Sequence, residues 1–343
     1  MLKTFFLLIT LSLLACEEPP QTFHHSNLNF GTLIDITLYN VTDAQAQAAF
    51  QKLDADFTLM HAAWSPWVAG SMARTNELLK TGKAFSAGPS ILGLIRESTS
   101  IANKTDQLFN PAIGELINLW QMHKSDDADI HPPDKNAIAT LVKSRPTLDD
   151  IEIKGVKLRT DNSHVSLNFG AFAKGYAIDI EMQMLKKMGI KNAIINTGGD
   201  LKAIGSHGTR PWFIAIQHPR QKTWLAKIET HSEESIFTSG DYERFYMYEG
   251  KRYHHILDPR TGYPAQGVQS VTVIHTNSGY ADAAATALFV AGPEQWLEVA
   301  KKLQLKQVML IDDKGVVHVS PAIKKRLTFN PQIETTLLTT APL

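Results

Sequence analysis

A chain of 343 residues can bury a substantial core as one large domain or two smaller ones. Its 34 Lys and Arg balance 34 Asp and Glu, so no overall field draws it to nucleic acid, and any grip on phosphate must be local. An apolar fraction of 43%, without low-complexity tracts or a solenoid-length repeat, is that of an ordinary soluble enzyme.

The amino terminus, MLKTFFLLITLSLLACEEPP, departs from that average. Lys3 precedes an apolar run from Phe5 to Leu14 that is short for a membrane span, and residues 1–15 read as an export signal. Leu13-Leu14-Ala15-Cys16 is similar to the bacterial lipoprotein processing box, which implies a lipid-modified Cys16 as the first mature residue; the alternative is an ordinary signal that happens to contain a Cys. Cys16 is the sole cysteine, so the rest of the chain has neither disulfide nor thiol chemistry. Residues 16–27 read as the lipidated Cys and a polar, proline-containing tether to the membrane.

Beyond the tether, TLIDITLYN alternates with Ile34, Ile36 and Leu38 on one side, a strand signal. Thr42 and Asp43 can cap a helix whose Phe50, Leu53, Phe57 and Met60 recur at helical spacing as a core stripe. A helix begins near Ser90, and another runs from about Ala173 to Met188 and closes at Gly189. NAIIN, WFIAIQ, LAKIET, SIFTS and QSVTVIHT are short β-branched or aromatic runs between turn residues. ERFYMYEGKRYHHIL predicts a hairpin turning at Glu249-Gly250, and VMLIDDKGVVHVS another turning at Asp313 to Gly315. Helices over about 279–290 and 293–303 separate them. Strands and helices mix without βαβ alternation, which predicts an α+β fold, and residues 28–330 read as one catalytic unit.

Several runs carry chemistry. LNFGAFAKGYAID sets small residues at a helix start beside Lys174, where backbone N–H groups and a cation can cradle a diphosphate; a tight turn with close packing has the same pattern. NTGGDL is a second place where Gly admits close approach. Asp282 and Thr286 lie four apart, which puts a carboxylate and a hydroxyl on one helix face, half of a site for a hard cation; a helix cap and a back-bonded Thr would read alike. In TSGDYERF, Asp241 can fix a sugar or adenine edge and Arg244 brings permanent charge. His254 and His255 are adjacent on a strand and face opposite sides, so one of them reaches a given pocket; His255, before the DPRTG corner, is the candidate general base.

Taken in order, GAFAKGYAID, NTGGDL, TSGDYERF through YHHILDPRTGYPA, and ADAAATALF, with FNPAIGELINLW and SMARTN, resemble the bacterial FAD:protein FMN transferases, the ApbE family, over about residues 28–320. The resemblance implies a single domain of mixed sheets and helices with an FAD cleft between lobes. It implies FAD as substrate, Mg²⁺ at the diphosphate, and transfer of FMN to a Thr or Ser hydroxyl of an acceptor flavoprotein with release of AMP. By the same resemblance Asp282, Thr286 and the carbonyl of Ala171 hold the metal, and Asn110, Pro111, Ala112, Asn168, Lys174 and Ile256 contact FAD. His255 matches the family's histidine, the candidate base here, and Trp64, with Trp67 as a rival, matches its stacking aromatic. Asn168 stands where the family usually has Asp, and Phe30 where it often has Met. The implied location is an exported, membrane-anchored lipoprotein facing the periplasm, on the inner or the outer membrane. Two other readings stay open: a Mg²⁺-dependent FAD pyrophosphatase giving FMN and AMP, and a non-enzymatic flavin-binding lipoprotein.

Overall fold

The computed structural model describes residues 21–122 and 130–343; the export signal, Cys16 and the first part of the tether lie outside them. The tether ends sooner than expected. Strand β1 (Thr22–Asn29) pairs antiparallel with β2 (Thr32–Tyr39), in register from Thr22 opposite Tyr39 to Asn29 opposite Thr32. Its polar sequence hides this, because its partners are distant: His25 Nε2 and Asn27 Nδ2 bind the Asp54 carboxylate at 2.8 and 2.6 Å, while Phe23 packs on the core. The hairpin turns through Phe30 (φ 53°) and Gly31 (φ 72°). Few bulky residues adopt that left-handed conformation. Phe30 is held there by its N–H, which donates to His61 Nδ1 at 2.8 Å, and by ring contacts with His61 and Trp64.

Those two rings belong to α1 (Asp43–Trp64), which opens on a capping box between Thr42 and Gln45 and buries Phe50, Leu53 and Phe57, as its periodicity predicts. Next come α2 (Ser71–Leu79), β3 (Phe85–Ser86) and α3 (Pro89–Lys104), whose Pro sits in the first turn. The sequence reading did not anticipate α4 (Gly114–Trp120) or α5 (Lys135–Ser144). After β4 (Ile151–Lys154) and β5 (Lys157–Thr160), α6 (Ala173–Lys187) ends before Gly189 (φ 80°), as expected.

The second half is mostly sheet: β6 (Ala193–Thr197), β7 (Asp200–Ile204), β8 (Phe213–Gln217), β9 (Trp224–Glu229) and β10 (Glu234–Gly240). The hairpin of β11 (Phe245–Tyr248) and β12 (Lys251–His254) turns at Glu249 and Gly250, both at positive φ. Then follow β13 (Val268–His275), α7 (Ser278–Lys302), β14 (Gln307–Asp312) and β15 (Val317–Val319). Non-helical Gly292, before Pro293, breaks α7 where two helices were expected. The chain closes with α8 (Pro321–Lys324), β16 (Thr328–Phe329) and β17 (Leu337–Thr339). Because β17 pairs with β15 and Leu343 packs on the core, the folded unit runs past residue 330, where the sequence reading ended it.

One nine-stranded sheet, in the order β1-β2-β6-β7-β10-β13-β14-β15-β17, organises the molecule; it is antiparallel except at β15–β17. Alternation along each strand splits the core in two. Phe237, Val271, Val273 and Leu310 face α1, α3, α6 and α7, whereas Ile236, Ile274, Met309 and Ile311 face the small sheet of β8, β9 and β16. A third cluster, of Ile113, Leu116, Trp120, Ile138 and Leu257 with Tyr246, Tyr253 and Tyr263, forms a small lobe from α4, α5, the β11–β12 hairpin and the turn after it.

Glu181 on α6 is fully buried, and neither of its carboxylate oxygens has a hydrogen-bond partner among the described residues. Burial, reinforced by the charge of Asp56, pushes its pKa up to about 7. The unfolded group titrates near 4.5, so its contribution is full below that pH and declines as pH rises toward 7, by up to about 3 kcal/mol. Glu181→Gln is expected to remove this decline, leaving the variant more stable than the parent at pH 8 but not at pH 4.5; denaturant titrations at the two pH values check it.

Candidate active site

The site lies where the small lobe meets the main one. Ala112 belongs to the main core and Ile113 to the small one, and the same boundary falls between Ile256 and Leu257. Asn110, Pro111 and Ala112 are strapped to the segment leading into α6. Asn168 N–H donates to the Pro111 carbonyl at 2.8 Å, Ser166 N–H to Ala112 at 3.1 Å, and Gly114 N–H to Ser166 at 2.7 Å. A Cβ on Gly114 would stand 2.6 Å from the Ser166 oxygen, so this approach requires glycine. Asn76, in SMARTN, fixes the other side by bonding both the N–H and the carbonyl of Leu167.

From there the chain turns through Ala171 into α6. Gly175 lets α6 touch the start of α7 backbone to backbone, since a Cβ there would lie 2.3 Å from the Ser278 oxygen. At this contact Gly175 N–H donates to Asp282 Oδ2 at 3.2 Å. Asp179, one turn along α6, accepts from the N–H groups of Ser278 and Gly279 at 2.7 and 3.1 Å and binds buried Lys202 through its other oxygen, clamping α6 to the first turn of α7. Asp282 is buried, and burial pushes its pKa up to about 7; Lys174 draws it down and Asp200 adds to the rise.

Lys174 is paired with Asp200, whose other oxygen accepts from Thr238 N–H at 2.9 Å. One cation thus stands between the carboxylates of β7 and α7. Thr286, one turn past Asp282, lies 3.1 Å from the Ser239 hydroxyl. Asp200 and Asp179 were not singled out in the sequence, whereas Ser239 was, with Thr238 and Gly240, as a small donor at a strand end. NTGGDL and TSGDYERF marked two of the segments, but which side chains in them meet α6 and α7 depends on strand order.

The two histidines part as predicted. His254 is buried: Nε2–H donates to the Ala265 carbonyl at 2.8 Å, Nδ1 faces Ile256 N–H, and the ring sits edge-on to Phe289. His255 is half-buried, with Nδ1 3.3 Å from the Arg244 carbonyl. Nδ1 therefore carries the proton and Nε2 is left as the acceptor. Desolvation, with the charge of Arg244, holds His255 well below the usual histidine pKa, so the ring is neutral at neutral pH and its free nitrogen is open to a proton. Asp241 is committed elsewhere than to the ligand edge expected of it, because Arg220 binds both its oxygens at 2.7 Å.

An aromatic row, Phe30, Trp64, Tyr176, Phe172 and Phe109, leads to Asn110. Trp64 is 5% exposed, whereas its rival Trp67 is 43% exposed and donates through Nε1 to Asn118 at 2.9 Å. Trp64 Nε1 and Asn168 Nδ2 are buried donors without a partner among the described residues. A cavity of about 530 Å³ between the turn at Asp258 to Gln266 and the α7 break is lined by none of the expected contacts.

Comparison with known proteins defines the class. A family model described as the ApbE family matches residues 30–310. A Rhodobacter capsulatus protein named FAD:protein FMN transferase is 36% identical over 298 residues, 87% of this chain and 57% of that relative. A Vibrio cholerae protein of the same name is 28% identical, across 94% of this chain and 98% of its own. Among solved structures, the ApbE protein of Thermotoga maritima superposes with a TM-score of 0.82 at 26% identity, over 89% of this chain and 99% of that one. The flavin transferase ApbE of Vibrio cholerae gives 0.78 at 26%, over 90% and 100%. The chain belongs to the ApbE family.

Proposed function

We propose that the chain transfers the FMN half of FAD to a Ser or Thr hydroxyl of an acceptor flavoprotein and releases AMP. The observation that carries this reading is the α6–α7 contact at Gly175, which brings Asp282 onto the Gly175 N–H beside Lys174. The acceptor oxygen bonds to the FMN phosphorus as the bond from that phosphorus to the bridging oxygen breaks, and AMP departs with the electron pair. His255 Nε2 takes the hydroxyl proton. Lys174 sets positive charge beside the diphosphate. The Ala171 carbonyl, the Asp282 carboxylate and the Thr286 hydroxyl are hard oxygen donors of the kind Mg²⁺ takes together with substrate phosphate. Bound there, Mg²⁺ would neutralise charge on the diphosphate.

On this reading Asn110, Pro111, Ala112, Lys174 and Ile256 are the FAD contacts. The donors of Asn168 and Trp64, without partners among the described residues, support ligand contacts at both residues. Asn168 can donate to the ligand there but, unlike Asp, cannot balance a cation.

The test incubates the protein with FAD, Mg²⁺ and a candidate acceptor flavoprotein, and reads flavin fluorescence in a denaturing gel alongside AMP release. Covalent flavin with matching AMP is the expected result. AMP with free FMN would mean hydrolysis, and FAD retained without AMP would mean a carrier.

Anchoring belongs to the same reading: Cys16, lipid-modified after export, holds the domain on the periplasmic face of a membrane. Cys16→Ser is expected to move the exported protein from the membrane fraction to the soluble periplasmic fraction while leaving its transfer rate unchanged; fractionation and immunoblotting check it. Among the described residues, no helix is long and apolar enough to cross a membrane.

A further inference from the structure

The ladder of the β11–β12 hairpin runs one pair beyond His254. His255 N–H donates to the Arg244 carbonyl at 3.1 Å, and His255 Nδ1 lies 3.3 Å from the same oxygen, so Arg244 stands directly opposite the base. Phe245 pairs with His254 and Tyr246 with Tyr253. Side chains alternate along a strand and opposed residues share a face, so Arg244 and His255 project to the same side as Tyr246 and Tyr253, which stack at 5.4 Å in the small lobe. Opposed Cβ atoms stand about 5 Å apart, which roots the guanidinium beside the imidazole.

Lys174 is committed to Asp200. Arg244 keeps an exposed surface, and among the described residues neither a hydrogen bond nor an ion pair holds its guanidinium. Its neighbours in sequence differ: Arg220 grips Asp241 with two bonds, Arg252 lies over the Phe245 ring and reaches Asp241, and Arg260 binds Asp258. Surrounding protein desolvates Arg244 and lowers its pKa from the usual arginine value, against the opposing charge of Glu243. The Arg244 charge in turn bears on both His255 and Lys174. A desolvated guanidinium without a counter-ion is held at a cost that a bound anion relieves.

We propose that Arg244 is a catalytic residue that grips the non-bridging oxygens of the FMN phosphate, the phosphoryl group being transferred. This deepens the transferase reading above and rests on it. The base must lie within hydrogen-bond reach of the acceptor hydroxyl, whose oxygen must come within about 3–3.5 Å of the FMN phosphorus before the new bond forms. The oxygens on that phosphorus then lie beside His255, where the guanidinium stands, and the AMP leaving group lies in line on the far side. A planar fork of N–H donors meets two phosphate oxygens at once and steadies their charge as the bond to the bridging oxygen breaks. Lys174, held by Asp200 near Asp282, serves the metal side of the diphosphate.

The experiment uses the full chain with FAD, Mg²⁺ and an acceptor flavoprotein at pH 8, where His255 is neutral with or without the charge of Arg244, the other charges that reach it being those of His254 and Lys174. Arg244→Gln should lower kcat by about 10²-fold or more with an unchanged unfolding midpoint, because the backbone carbonyl that holds His255 remains. Arg244→Lys, which keeps the charge without the fork, should recover only part of that loss. Arg252→Gln should leave the rate unchanged, since its guanidinium lies on the opposite face of the hairpin. Product inhibition locates the contact: in Arg244→Gln the inhibition constant for FMN should rise about tenfold or more, the scale of losing a charged hydrogen bond, while that for AMP stays the same. Should Arg244→Gln fail to fold, the same two constants in Arg244→Lys decide. A normal kcat, or a loss of AMP affinity equal to or larger than that of FMN, overturns the assignment of Arg244 and leaves transfer standing. Release of AMP and free FMN by the parent protein, with no covalent flavin, overturns the transfer reading itself.

Discussion

Asp282→Ala is expected to abolish Mg²⁺-dependent transfer, lowering kcat/KM by about 10³-fold or more, the scale of losing several kcal/mol of charge stabilisation at a transferring phosphoryl group. The fold should survive. In the free protein the carboxyl is buried and accepts one weak bond, from Gly175 N–H, so burial opposes its ionised form and removing it takes away no strong internal partner. Asp282→Asn, which keeps an acceptor for Gly175, separates the metal role from packing: it should lose activity to a similar degree with an unchanged unfolding midpoint. Calorimetric titration with Mn²⁺ in the presence of FAD supplies a readout independent of turnover. Near-normal turnover with intact metal dependence would remove Asp282 from the site.

His255→Ala should slow transfer by about 10²-fold or more at saturating FAD, as expected for loss of an acid–base group, while FAD affinity changes little. Its Nδ1 is held at the Arg244 carbonyl, so the variant loses the acceptor nitrogen without disturbing a buried network. Partial recovery with added imidazole would show that a proton acceptor is what is missing. If FAD binding collapses while the rate at saturation stays normal, His255 is a binding residue. His254→Ala should fail differently, by loss of stability, because that ring bridges Ala265 and Ile256 under Phe289.

What the sequence made legible was local. The Ile34, Ile36 and Leu38 alternation, the Thr42 cap, the Glu249-Gly250 turn and the break at Gly292 each follow from the stereochemistry of a few consecutive residues. Asp282 and Thr286 fall one helical turn apart for the same reason, and adjacent histidines on a strand must diverge. Strand order was not legible, and neither was anything that depends on it. Strand β1 reads as a polar tether because its alternation answers Asp54 and the β2 register rather than a greasy core. Strand β7 is buried at every position yet contains Lys202, whose charge is met by Asp179 and Glu233 from other elements. The pairing of Lys174 with Asp200 likewise joins a helix to a strand 26 residues on.

The early start of β1 would also limit where an enzyme anchored at Cys16 could work. With the anchor proposed at Cys16, five residues separate the lipidated position from Thr22, a leash of roughly 20 Å at full extension. The domain would graze the bilayer surface and search it in two dimensions. Its clients would be polypeptides whose modifiable hydroxyl is presented close to the lipid headgroups, and a hydroxyl held far above the membrane would be beyond its reach however well the flanking residues matched.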